Sequence, residues 1–306
     1  MHDYHRPVML NEAIDGLKVV PGGTYVDATF GGGGHTRAML GRLGNGRLIA
    51  FDQDDDAIRN VPRDDRLLFL NHNFRYMKNF LKQHGHIPVN GILADLGVSS
   101  HQLDQPLRGF SSRHQGPLDM RMNKMAQTSA RDVLNKYDAE KLADIFYLYG
   151  ELRHARKIAA TIEQQREQKP LETTADLAAL LRPMAPKGRE NKFLAQAFQA
   201  LRIEVNNELV ALKEFLSQSL DVLVNGGRLV VISYHSLEDR LVKNFIRTGN
   251  FEGKQEKDFF GKLMSPVKPV SKMQKASERE VRENPRARSA RLRIAEKIMT
   301  DDNQPI

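Results

Sequence analysis

The sequence predicts an α/β protein: a nucleotide-binding parallel sheet with helices on both faces, and an all-helical insertion between its fourth and fifth strands. Three observations predict it. A strand, a run of four glycines and a helix follow one another in residues 25–43. Two later strands close on acids, Asp52 and Asp95, where an α/β sheet presents its ligand edge. Between residues 104 and 202 the strand pattern gives way to helical spacing, and it resumes afterwards.

Val8, Leu10, Ala13 and Leu17 suggest a short opening helix that stops near Pro21, Gly22 and Gly23. Tyr25 and Val26 then suit a buried pleated strand. Gly31, Gly32, Gly33 and Gly34 follow, and Ala38, Met39, Leu40 and Leu43 recur at helical spacing. An ordinary tight turn needs one or two glycines. Four in a row favour a ligand, because glycine lets backbone approach where a Cβ would clash. The dinucleotide fingerprint requires a small residue at its last position. Counted from Gly31 that position is Thr36, and from Gly32 it is Arg37, so both fail. An acid, Asp27, stands in the first strand instead, placed to face a ligand's ammonium group. A second acid, Asp52, closes the next strand (residues 47–52) and can accept hydrogen bonds from ribose hydroxyls. S-adenosylmethionine has both groups; NAD lacks the ammonium. Asp54, Asp55 and Asp56 read as a solvated helix start, with Ala57 and Ile58 beginning the helix.

Residues 66–70 form the third strand. Phe74 sits where the chain leaves the sheet, either to pack on a purine or to cover the core. Met77, Phe80 and Leu81 continue as helix, and residues 89–95 form the fourth strand. Residues 104–123 hold turn formers and no clean period. From Ser129 to Leu181 the spacing is helical, broken at residues 183–188. Residues 198–223 read as a long helix, broken near Asn206 and Asn207, with Asn225-Gly-Gly as its stop. Residues 228–235 form a strongly apolar fifth strand, and residues 236–246 its helix. Ser236 reads as that helix's N-cap, with Asp239 three residues on. Residues 264–270 and 290–295 are closing strands, and Pro266 and Pro269 favour an edge for the first.

With 306 residues and 40% hydrophobic composition the chain can build a real core. It has 27% charged residues and no long apolar run, which excludes a membrane span. The polar residues 1–7 carry no signal-peptide core, so a cytoplasmic location is expected. Cysteine is absent, which removes a cysteine nucleophile, a Cys-ligated cluster and a thiolate zinc site. No metal site is read from the sequence, and oligomeric state stays open, a homodimer included. The net charge is +8 and the pI near 9.6, which suits a polyanionic partner. From Lys268 to Lys297 ten Lys and Arg stand against four Glu. Strand alternation there puts Arg291 and Arg293 on one face, as a basic surface on a folded element.

Three runs carry a closer likeness: Thr29-Phe-Gly-Gly-Gly-Gly-His35, Asp95-Leu-Gly-Val-Ser-Ser-His-Gln-Leu-Asp104 and Ser233-Tyr-His-Ser-Leu-Glu-Asp-Arg240. Gly116-Pro-Leu-Asp-Met-Arg-Met122, Phe198-Gln-Ala-Leu-Arg-Ile203 with Val205 and Asn206, and Asn284-Pro-Arg-Ala-Arg288 support them. Together they closely resemble the RsmH (formerly MraW) family of bacterial ribosomal RNA methyltransferases, over nearly the whole chain. The resemblance implies methyl transfer from S-adenosylmethionine to the exocyclic N4 of a cytidine in the decoding centre of 16S ribosomal RNA, in the small ribosomal subunit. It implies a class I (Rossmann-like) methyltransferase domain, residues 1–103 and 203–306, and a helical insertion, residues 104–202, for substrate recognition. It places cofactor contacts on Gly33, Gly34, His35, Asp52, Phe74, Asp95 and Gln102. Two positions depart from the usual pattern: Tyr234 stands for a Phe and Gly32 for an Arg.

A cytosine amine is a poor nucleophile because its lone pair is delocalised into the ring. A hydrogen-bond acceptor must draw that lone pair out and take charge as the proton becomes acidic. The absence of cysteine excludes the covalent thiolate route to carbon-5, which agrees with an amine target. Asp95 is the first candidate for the acceptor, with His235 and Asn206 beside it. Two rivals are a nicotinamide oxidoreductase, opposed by Thr36 and Arg37, and a non-catalytic ribosomal RNA-binding assembly factor. Ser236 beside His235 is not a hydrolase site, since no G-x-S-x-G elbow exists.

Overall fold

β-Branched and aromatic runs of four to seven residues, each followed by a turn former, become the central strands. They are β1 (Thr24–Asp27), β2 (Arg47–Phe51), β3 (Leu67–Leu70) and β4 (Val89–Asp95). The computed structural model describes residues 7–255, 257, 261 and 265–298. The polar residues 1–6 and Met264, the expected start of a closing strand, lie outside the described residues. Two units make up the chain: one from the residues up to Gly97 and from Leu209 onward, the other Val98–Glu208.

The sheet of the first unit runs β3-β2-β1-β4, then β5 (Leu223–Ser233), β8 (Arg291–Lys297) and β6 (Val267–Pro269), with β7 (Gln274–Lys275) also on β8. The first five are parallel, and β8 pairs antiparallel with β5. Strand order reverses between β1 and β4, so the crevice beyond their carboxyl ends is where such a sheet takes a ligand.

Successive strand residues point to opposite faces, and each face meets its own helices. Val26, Ile49, Ile92 and Val231 pack with α3 (Met77–Gln83), α10 (Glu208–Val222) and α11 (Ser236–Thr248). Tyr25, Leu48, Leu93 and Val230 pack with α1 (Leu10–Leu17) and α2 (Gly34–Arg42). Burial on both faces explains why these strands are continuously apolar rather than alternating. A short helix, α12 (Glu278–Glu283), precedes β8.

The second unit contains α4 (Ser100–Asp104), α5 (Ala130–Lys136), α6 (Ala139–Leu148), α7 (Ala155–Gln168), α8 (Thr174–Leu181) and α9 (Glu190–Asn206). Leu134, Phe146, Ile162, Leu177 and Leu201, one from each of the last five, share a core of their own. Ser129 with Asp132 and Thr173 with Asp176 close capping boxes that start α5 and α8. Asn207 adopts φ 51° and separates α9 from α10, where the sequence places a break.

Four local expectations change. The helix expected from Ala57 is a 3-10 turn, Asp55–Asn60, because Asp54 caps it and Pro62 disfavours helix at Val61. Asn225-Gly-Gly does not end a helix. It forms a bulge inside β5, where the step from Leu223 to Arg228 faces the two-residue step from Val89 to Gly91, and Gly226 takes φ +78°. The cap of α11 is His235, not Ser236, because Glu238 at the third helical position closes the capping box with it. β7 was not expected; two residues carry too little pattern to read.

Candidate active site

Elements that end at the carboxyl edge of the sheet bring one glycine loop and three carboxyl groups together. Phe30 N–H donates to Phe51 O at 2.8 Å, which ties the loop to the end of β2. Gly31 and Gly33 take φ +52° and +74°, a region that favours glycine. A Cβ on Gly33 would meet Phe30 Cζ at 2.7 Å, and one on Gly34 would meet Pro7 Cγ at 2.5 Å. Phe30 and Pro7 thus pack directly on Gly33 and Gly34, whereas a Cβ on Gly31 would meet nothing nearer than Thr29 O at 4.0 Å.

Asp52 lies just past β2, partly exposed. Gly31 N–H donates to its Oδ2 at 2.7 Å and Asp54 N–H to its Oδ1 at 2.9 Å. A carboxylate has about four acceptor positions, so two remain for a diol. Burial pushes its pKa up to about 6 despite those two bonds. Phe74 packs edge-on against Phe215, ring centroids 5.2 Å apart, and stays partly exposed. It covers the core on that side.

Asp27 differs from its expected place. It is 1% exposed, and both oxygens are used within the protein: Thr36 Oγ1 donates to Oδ2 at 2.7 Å and Thr29 N–H to Oδ1 at 3.2 Å. It braces the glycine loop against α2 rather than lying open to a ligand's ammonium. Burial raises its pKa to about 6.

Asp95 ends β4. Its backbone N–H donates to Thr29 Oγ1 at 2.6 Å, and the Tyr234 hydroxyl donates to its Oδ1 at 2.7 Å. Its Oδ2 stands 4.0 Å from His35 Nδ1. Burial raises Asp95 to about 7 and lowers His35 to about 4. A neutral His35 donates from Nε2 to Val8 O at 3.2 Å, which leaves Nδ1 unprotonated toward Asp95. Carboxyl groups pushed near neutrality in one crevice mark a functional site on physical grounds.

His235 is held by its capping role. Its Nδ1 accepts from Glu238 N–H at 3.4 Å, and its Nε2 lies 3.1 Å from Glu238 Oε1 without hydrogen-bond geometry. Ser233 Oγ, at the end of β5, is buried with no hydrogen-bond partner. Gln102 and Asn206 belong to the second unit. Gln102 Oε1 accepts from Ser99 N–H at 3.0 Å in the capping box of α4. Asn206 accepts from Met122 N–H at 2.7 Å and donates to Met120 O at 2.7 Å and Arg202 O at 2.9 Å, which spends its amide on the local backbone.

Sequence reasoning missed Tyr234 and Thr29 as partners of Asp95. The hydroxyl at Tyr234, where the resembled pattern has Phe, was the available signal. The basic face expected at the carboxyl-terminal strand is also revised. Arg291 and Arg293 do share a face of β8, but both converge on Asp239 of α11, at 2.7 and 2.8 Å. Burial alone would raise Asp239, yet the Arg293 and Arg291 guanidiniums outweigh it and hold the carboxyl below its ordinary value. Among the described residues no helix is long and apolar enough to cross a membrane.

Residues 2–298 match the sequence profile of the MraW methylase family. A protein of Parabacteroides distasonis named ribosomal RNA small subunit methyltransferase H is 58% identical over 298 residues, covering 96% of this chain and 98% of that protein. Proteins of the same name from Phocaeicola vulgatus and Flavobacterium johnsoniae are 56% and 52% identical. They cover 96% and 97% of this chain, and 97% and 98% of their own lengths.

Proposed function

The chain belongs to the MraW methylase family, and from that premise we propose that it methylates the exocyclic N4 of a cytidine in the decoding centre of 16S ribosomal RNA, with S-adenosylmethionine as donor. The site fits that cofactor. Asp52, already squared by two backbone N–H donors, has acceptor capacity left for ribose hydroxyls. The glycine loop presents open backbone at Gly31, where a Cβ would meet nothing nearer than Thr29 O at 4.0 Å, and Gly33, Gly34 and His35 lead from it into α2. Phe74 offers a partly exposed ring for the adenine. When bound, S-adenosylmethionine supplies an electrophilic sulfonium methyl.

The chain's own residues then have to orient the amine and take its proton. Asp95 carries this reading: its carboxyl is pushed up to about 7 by burial, so it can be ionised at neutral pH and still bind a proton. Tyr234 holds one oxygen, and the other remains for the amine. His235 fixes the turn from β5 into α11 that carries Tyr234. Asn206 supports the segment at Met120 and Met122, a positioning part rather than a proton acceptor. The second unit contributes recognition of the RNA.

The test is methyl transfer from labelled S-adenosylmethionine to small ribosomal subunits lacking this modification, with purified protein. Label on N4 of one decoding-centre cytidine is the expected result. Label elsewhere, or none with active subunits, overturns the reading. Presenting protein-free 16S RNA in parallel shows which form of the substrate is used.

A further inference from the structure

In the second unit, the loop before Gly116 is stitched to the first turn of α8. The Thr174 hydroxyl donates to His114 O at 2.6 Å and accepts from Gly116 N–H at 3.0 Å, and Thr174 N–H donates to Gly116 O at 2.9 Å. Thr174 is fully buried, so loop and helix start are held as one piece. Between them lies an open cavity of about 360 Å³.

Ala175, Ala178 and Ala179 of α8 line it. At spacings of three and four they lie on one helix face, and their methyl groups are too short to fill the space. Arg113 and His114 border it from the loop, and Arg182 from the end of the helix. Four other cations of this unit are tied to acids: Arg121 to Asp119, Arg131 to Glu172, Lys136 to Asp132 and Arg202 to Glu208. Neither Arg113 nor Arg182 forms an ion pair among the described residues, and both are exposed. Arg182 adds only the smallest share to the lowered pKa of Glu190, which backbone N–H groups chiefly hold down. Beyond Arg182, residues 183–192 add Lys187, Arg189 and Lys192 against Glu190, and those three cations are exposed.

We propose that this cavity is a nucleotide subsite for the substrate RNA, with Arg113 and Arg182 each taking a backbone phosphate and the alanine face receiving the base between them. It rests on the reading of RNA as substrate. A guanidinium matches phosphate oxygens with paired N–H donors. Alanine methyls let a base bury one apolar face without hydrogen-bond readout, and a cationic track beside them follows a single strand. The stitched loop presents Arg113 and the end of α8 presents Arg182, so neither segment has to fold on binding.

The experiment uses the full-length protein and a 16S RNA fragment that carries the acceptor cytidine. Arg113→Gln/Arg182→Gln is expected to weaken RNA binding at least tenfold at low salt. For single-stranded contacts the log–log salt slope loses about 0.7 per phosphate, so it should flatten by about 1.4. KM for RNA rises, while kcat at saturating RNA, S-adenosylmethionine affinity and melting temperature stay as in wild type. Ala179→Asp, an exposed floor position, should weaken RNA binding by a separate route. Unchanged RNA affinity and salt slope in the double variant overturn the subsite, and so does Ala179→Asp binding RNA like wild type. If wild type methylates the fragment while the variants bind normally, only the subsite fails. Where wild type acts on small subunits and not on the fragment, the same readouts are taken with subunits; wild type that acts on neither overturns the RNA reading as well.

Discussion

The Tyr234 hydroxyl donates to Asp95 Oδ1 at 2.7 Å, joining two residues 139 apart in sequence at the carboxyl ends of β5 and β4. Burial raises Asp95, this bond lowers it, and Asp27, Glu238 and Glu280 raise it through their charge. His35 completes the surroundings at 4.0 Å but is neutral above about pH 4. One hydroxyl is thus the main force favouring an ionised Asp95. Tyr234 itself is driven well above its ordinary value, first by burial, and stays protonated as the donor.

Tyr234→Phe should therefore move the acidic limb of the pH–rate profile upward. The group must be ionised to accept the amine proton, so activity is lost as pH falls through its pKa, near 7 in wild type. Losing a hydrogen bond to a charged group is worth about 1.5–3 kcal/mol, which corresponds to a shift of about one to two pH units. Single-turnover rates from pH 5.5 to 9 check this. A variant with the wild-type limb would mean that Asp95 does not control it.

Asp52→Ala should weaken S-adenosylmethionine binding by about 1.5–3 kcal/mol, the worth of a charge-assisted hydrogen bond. The same change releases Gly31 N–H, so the loop loses its brace as well. Asp52→Asn keeps an acceptor and should fall between the two. Calorimetry on folded variants decides it, and unchanged affinity in Asp52→Ala removes the ribose contact.

Asp27 predicts a pH-dependent stability. Its folded pKa is about 6, against 3.8 for the ordinary group. The folded state holds the proton more tightly, so its contribution is favourable at low pH and is lost as pH rises from about 4 to about 6. Asp27→Asn has no such loss and should gain on wild type by roughly 2.4 kcal/mol between pH 4 and pH 7. Denaturant unfolding at both pH values measures the difference. A constant gap would mean that Asp27 ionises normally when folded.

Arg293→Gln should lower stability by about 1–3 kcal/mol by taking one partner from the buried Asp239 carboxyl. Arg291 still meets that carboxyl at 2.7 Å, which keeps the loss short of a fully abandoned charge. The salt dependence of RNA binding should not change, because this guanidinium is already spent inside the protein. A flatter salt slope with an unchanged melting temperature would return β8 to the RNA-binding surface.

Local patterns were legible in the sequence by itself. Strand, glycine turn and helix around Gly31–Gly34 are neighbours in the chain, and each is set by propensity and backbone sterics within a few residues. The parallel sheet followed from strands alternating with helices on either side of that glycine turn. Period-two alternation likewise put Arg291 and Arg293 on one face. Tertiary structure alone decided what those faces meet. Asp27 looked open to a ligand until Thr36, a turn into α2, took one of its oxygens. The two arginines looked like an RNA surface until α11 brought Asp239 beneath them, 52 and 54 residues away in the chain. Asp95 read as an acid at a strand end, and only the neighbouring β5 supplied the hydroxyl that biases its charge. The physical reason is range. Propensity and periodicity act within a turn or a strand, whereas an ion pair or a shifted pKa depends on which distant side chain packing delivers within about 3 Å.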